Sequence, residues 1–122
     1  MTTPLEFADL SASLHDKYFH IERLVLQADQ AELRLPIYAG RSRQGWLIET
    51  SRPPEEPPPP PVHLLVVRNV IDVSIEDEAN IGWYDVNQLQ YDPATEKLRL
   101  VSSAPCQVVV RCRTLDVELL RG

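Results

Sequence analysis

Between Phe19 and Leu119 the chain alternates short aliphatic and aromatic runs with turn residues, and its apolar positions recur with a period close to two. That period predicts strands, because successive side chains of an extended chain point to opposite faces of a sheet. Ala31, Leu33, Leu35 and Ile37 alternate with Glu32 and Arg34, the pattern of a strand with one wet face. Phe19 to Leu26 is apolar on both parities, as expected of a strand covered on both faces or broken by a bulge. Gln27 to Gln30 closes a hairpin between them. Pro36, which has no amide hydrogen, puts the second strand at an edge or at its end.

The longest strand-forming stretch is Val62 to Tyr91. It is apolar on both parities to Val67 and continues through Ile71, Val73 and Ile75, with a bulge expected at Asn69-Val70. Ser74 to Asn80 turns the chain, and Ile81 to Tyr91 forms one strand or a pair, with Gly82 as a kink. A hairpin from Val86 to Val101 follows about the Asp92-Pro93 turn. Cys106, Val108, Val110 and Cys112 then alternate with polar and aliphatic neighbours. The parity shifts by one before Leu115, Val117 and Leu119, which predicts a second bulge.

Two segments break the strand pattern. Thr3-Pro4-Leu5-Glu6 is a helix start, with Thr3 and Glu6 placed for a reciprocal capping box, and the short helix ends near Leu14 within an N-terminal helical segment 1–18. Seven of the eleven prolines fall between Pro53 and Pro61, so residues 52–61 form a proline-rich surface loop that enters neither helix nor sheet. It serves as a stiff connector or, in the sharper reading, as a ligand for proline-reading domains. Before it lie a basic loop, Gly40 to Gly45, and a short strand, Trp46 to Thr50.

Placing Ile21 to Leu26 over Val86 to Tyr91 carries Leu33-Arg34-Leu35 onto Leu98-Arg99-Leu100 without a gap. With the proline loop inserted in the first half only and one residue of slack inside, Val67-Arg68 and Ile71-Asp72-Val73 fall on Val110-Arg111 and Leu115-Asp116-Val117. Such self-similarity is the mark of a repeat, although evenly spaced valines and leucines occur in any strand-rich chain. The expected architecture is a mainly β, single domain over residues 1–122. It is an antiparallel β-sandwich or a partly open barrel with a short N-terminal helix and two candidate half-units, 19–75 and 81–120.

Composition narrows the function classes. The net charge of −6 arises between residues 49 and 85, where eight acids face two bases, and the remainder carries ten of each sign. An acidic centre repels phosphates, so nucleic-acid binding is not expected. The longest aliphatic runs fall far short of the roughly 20 residues that span a bilayer. MTTPLEFADL carries Glu6 and Asp9 where a signal peptide carries lysine or arginine, so a cytoplasmic location is expected. Cys106 and Cys112 on one strand stand about 20 Å apart, too far for a disulfide.

Candidate chemistry is sparse. His15, Asp16 and His20 form the one cluster that could hold a metal, yet a zinc site needs three or four ligands, and a structural cap is the simpler role. Ser11 and Ser13 lack the strained elbow of a nucleophilic serine. Asp72, Glu76, Asp77, Glu78 and Asn80 lack the spacing of a calcium loop. GRSRQG lacks the lysine and helix of a phosphate loop. No cofactor is expected. Trp83 and Tyr84 are adjacent, so in a strand only one enters the core, and the other is left for a groove or a partner. Core packing with a single exposed tyrosine is the blander alternative.

Leu14-His15-Asp16, the hairpin IERLVLQADQAELRL and the later Val-x-Asp-Val-type strands resemble small bacterial β-rich proteins of unknown function, some of them immunity-protein-like. The resemblance implies a stoichiometric binder whose acidic surface meets a basic enzyme. The first expectation is therefore a non-enzymatic protein-binding module using Asp72, Glu76, Asp77, Glu78, Trp83, Tyr84 and Asp85. The alternatives are a small-ligand or metal-binding protein using His15, Asp16 and His20, and a structural homo-oligomer joined through sheet edges.

Overall fold

The computed structural model describes residues 2–39 and 60–121. The expected strand Trp46–Thr50, the loop Gly40–Gly45 and the proline stretch before Pro60 lie outside the described residues.

Helix α1 (Pro4–Leu14) starts as its sequence predicts: Thr3 Oγ1 accepts from the Glu6 amide at 3.1 Å, and Glu6 Oε1 accepts from the Thr3 amide at 3.2 Å. Those two bonds hold the Glu6 carboxyl below its usual range. Leu14 is fully buried and Phe7 and Leu10 are half-buried, so a stripe spaced i, i+3, i+7 faces the sandwich.

Ten strands follow among the described residues: β1 (Tyr18–His20), β2 (Val25–Gln27), β3 (Glu32–Ile37), β4 (His63–Val67), β5 (Val70–Asp77), β6 (Trp83–Asp85), β7 (Gln88–Asp92), β8 (Lys97–Val101), β9 (Cys106–Cys112) and β10 (Val117–Arg121). One four-stranded antiparallel sheet has the order β10-β4-β3-β2, the other β5-β9-β8-β7, and β1 pairs with β6 as a separate ribbon. The arrangement is a β-sandwich, not a closed barrel. A single hydrophobic cluster fills it, with Leu33, Leu35, Ile37, Leu65 and Val67 from one sheet against Leu89, Leu98, Leu100, Val108 and Val110 from the other. Phe19 and Tyr84 enter the same cluster from the ribbon, their ring centroids 5.9 Å apart.

The pairings of the two halves follow one scheme. Leu26 pairs with Leu33 as Tyr91 pairs with Leu98, and Leu33 pairs with Val67 as Leu98 pairs with Val110. The last strand of each half crosses over: Val73 pairs with Val110 of the other half, as Val117 pairs with Val67. The ribbon lies where the halves meet. Phe19 pairs with Tyr84, and the flanking bonds Val86 N to Lys17 O (2.7 Å) and Ile21 N to Gly82 O (2.9 Å) correspond under the same shift.

Four strand expectations take a more particular form in the structure. Phe19 to Leu26 is two strands separated by a 3-10 turn, Ile21–Arg23, because the chain leaves the ribbon to enter a sheet; that corner explains why both parities are apolar. Val62 to Ile75 changes sheets at Asn69, whose φ of 59° lies in the left-handed region, with a register shift between Val70 and Asp72. The expected second bulge is likewise the crossing from β9 to β10. β3 has a strand on each side, but β2 ends opposite Arg34, so Pro36 pairs with Leu64 on one side only and lies one residue from the end of β3, as the expectation of an edge or a strand end had it.

Candidate functional site

Among the described residues β5 is an edge of its sheet, hydrogen-bonded to β9 on one side only. Asp72, Ser74 and Glu76 point away from the core and meet Arg111, Val109 and Gln107 on β9, while Val73 and Ile75 turn inward. Asp72 forms an ion pair with Arg111 at 3.1 Å, and Glu76 accepts a hydrogen bond from Gln107. β5 runs three residues beyond the turn expected at Ser74, since this outward alternation persists to Asp77. Glu78 is exposed in the turn that follows.

Asp77 anchors that turn. Its carboxylate accepts from the Asn80 amide at 2.8 Å and from the Tyr84 hydroxyl, and the Tyr84 oxygen accepts from the Ile81 amide at 3.1 Å. Burial, and then the bond to Asp77, push the Tyr84 phenol up to about 12. The neighbouring Asp85 is held by Ser102 Oγ at 2.6 Å, the Ser103 amide at 3.1 Å and Ser103 Oγ. Burial alone would raise its pKa, but these bonds together bring it below the usual carboxylate range. Beside them lies a pocket of about 290 Å³ lined by Glu76, Glu78, Ser102, Pro105, Cys106 and Gln107. Burial pushes the Cys106 thiol up to about 12, which leaves it protonated and unreactive at neutral pH.

The expectation that only one of Trp83 and Tyr84 could enter the interior is corrected, and with it their role as exposed anchors. Trp83 is 2% exposed and Tyr84 0%. The ribbon has two covered faces: Tyr84 enters the core beside Phe19, while Trp83 stacks edge-on against His20 and Tyr38, both at 5.0 Å between centroids. Asp85 is buried too. The surface of the 72–85 segment is therefore made by Asp72, Glu76, Glu78 and part of Asp77, with Ile71 and Ile75 half-exposed beside them. Ile71 and Ile75 are the residues that strand periodicity missed, since it assigns an inward isoleucine to the core without knowing that the strand is an edge.

The histidine cluster does not form. His15 and Asp16 are exposed neighbours, 3.8 Å apart, whereas His20 is buried against Trp83 with its Nδ1 accepting from the Glu22 amide at 3.2 Å. Among the described residues no group of three or more His, Cys, Asp or Glu side chains is placed to hold a metal ion. Ser11 and Ser13 belong to α1, and Cys106 and Cys112 are free and buried. No described helix is long and apolar enough to cross a membrane. Comparison with known proteins gives no match to a family model, to a curated protein or to a solved structure.

Proposed function

We propose that the protein is a non-enzymatic protein-binding module that engages its partner along β5 and the acidic turn after it. The observation that carries this is an eight-residue open edge bearing Asp72, Glu76 and Asp77, with Glu78 next to it and two half-exposed isoleucines. Carboxylates steer a basic partner in, and buried aliphatic contacts set how long it stays. Trp83, Tyr84 and Asp85 hold the ribbon and the turn in shape and do not touch the partner. The immunity-like form of this reading, a stoichiometric binder of a basic enzyme, fits the same acidic edge.

Homo-oligomerisation through β5 is disfavoured by its charges. An antiparallel pairing centred on Ser74 sets Asp72 against Glu76 of a second copy, and like charges directly opposite destabilise a sheet. Two further readings are ours. The coincidence of registers supports descent of the two halves from one repeated unit. Two buried, unpaired thiols on one strand are in keeping with a reducing, cytoplasmic setting.

The test is affinity capture from native lysate with quantitative mass spectrometry, using wild type, Ile75→Asp and Leu5→Asp. A stoichiometric partner that is retained by Leu5→Asp and lost by Ile75→Asp is the expected result, because Leu5 is exposed on the helix, away from the edge. Equal capture by both variants would reject the assignment of the binding surface.

A further inference from the structure

The two lateral sides of the sandwich are related by the pairing scheme but are covered differently. α1 packs against β7 and β10, the outer strands at one side of the two sheets. Thr2 locks it there, its amide donating to Leu115 O at 2.7 Å and its hydroxyl accepting from the Val117 amide at 2.8 Å. The matching strands at the other side are β2 and β5, joined by the bond from the Val70 amide to Ala31 O at 2.9 Å. Among the described residues no helix lies on them. The residues that would occupy the position of α1 in the second half, 69–79, are instead β5 itself.

Burial records the difference position by position. Ile71 is 42% exposed, and its counterpart Leu115 is 8% exposed. Ile75 and Leu26 are each 44% exposed, whereas their counterparts Leu119 and Tyr91 are partly buried and packed against the core. Charge differs in the same sense. On the helix side the flanking positions are Arg113 and Arg121; the corresponding positions on the open side are Asn69 and Asp77. Residues 24–31 and 69–79 together carry five acids, Asp29, Asp72, Glu76, Asp77 and Glu78, and no lysine or arginine.

The geometry points to the β2/β5 side as a docking site for an amphipathic helix of a partner protein, one that presents an apolar i, i+3, i+7 ridge to Leu26, Ile71 and Ile75 and basic side chains to the flanking carboxylates. The helix seats as α1 seats on the opposite side, with the sign of the flanking charge reversed. This inference rests on the protein-binding function proposed above and names its partner's chemistry.

The test uses the full chain and a fluorescent peptide, residues 2–16 of this protein with Asp9→Lys, Ala12→Lys and Ser13→Lys, which keeps the capping box and the Phe7, Leu10, Leu14 ridge. Titration at low salt should give saturable binding that added salt weakens. Ile75→Asp and Leu26→Asp should each weaken it at least about tenfold, the loss expected when one aliphatic side chain is no longer buried. Leu5→Asp should bind as wild type does. Absence of saturable binding, or binding indifferent to both open-side substitutions, overturns the inference. So does light scattering that shows a dimer dissociated by those substitutions, which would make a second copy the occupant. If the peptide fails while lysate capture still depends on Ile75, only the helix is rejected; if capture is independent of Ile75 as well, the binding function falls with it.

Discussion

His20 shows how one buried side chain ties the ribbon to pH. It lies edge-on to Trp83, its Nδ1 accepts from the Glu22 amide, and burial lowers its pKa below the usual 6.5. The folded state therefore prefers the neutral ring, and the unfolded chain takes up a proton first as pH falls. The resulting stability is fully present above the unfolded pKa and is lost as pH falls through the folded one. Urea midpoints measured from pH 8 downward should hold steady and then decline below about 6.5. His20→Asn, which keeps an acceptor for the Glu22 amide but does not titrate there, should lose the part of that decline that lies above the carboxylate range. An unchanged slope in the variant would mean that another group is responsible.

At the scale of elements, the ribbon depends on a close approach between its strands. Gly82 has φ of 88°, and a Cβ at that position would lie 2.9 Å from His20 Nε2. His20 cannot yield, because Trp83 backs it. Gly82→Ala should cost about 2 kcal/mol from the left-handed backbone and the overlap together, read as a fall in denaturation midpoint. In a His20→Ala background the steric share vanishes and the cost should shrink to about 1 kcal/mol. The sequence marks Gly82 as a kink but not why a side chain is excluded, since the obstacle is 62 residues away along the chain. Local elements were legible for the same reason that this one was not. The hairpin β7–β8 and the capping box of α1 are closed by neighbours in sequence, so their signals sit side by side. The pairing of β1 with β6, the crossing of β5 and β10 between sheets, and the cover that Tyr38 and His20 give Trp83 are all chosen by distant partners, and strand periodicity is identical whichever sheet a strand joins. The acid positions of the candidate site were readable for their charge. Their aromatic neighbours were misassigned because a ribbon with both faces covered has the same alternation as one with a wet face.

For the whole molecule, the exchange of the last strand of each half decides how the chain holds together. Seven residues of β5 find their partners on β9, and all five of β10 find theirs on β4, so each sheet is completed only by the other half. A fragment of residues 1–77 would keep β2, β3 and β4 but would leave β5 with no strand to pair and the core faces of Leu33, Leu35, Leu65 and Val67 uncovered. Three short strands with one open apolar face do not bury enough surface to offset the ordering of the chain. Neither 1–77 nor 78–122 should therefore fold alone as a monomer. Mixed in equal amounts they should reconstitute the sandwich, with the far-ultraviolet spectrum of the intact chain and a light-scattering mass close to it. One route around this is built into the pairing scheme itself. Because β5 corresponds to β10, fragment 1–77 has a second solution: its β5 can dock on β4 of another copy, giving a two-fold dimer in which each sheet repeats the order of the intact one. Like-charge opposition between β5 strands does not block that dimer, since β5 would meet β4, whose residues 63–67 carry no carboxylate. A folded monomer of 1–77 that unfolds cooperatively would show that the halves are independent and that strand exchange is incidental to stability.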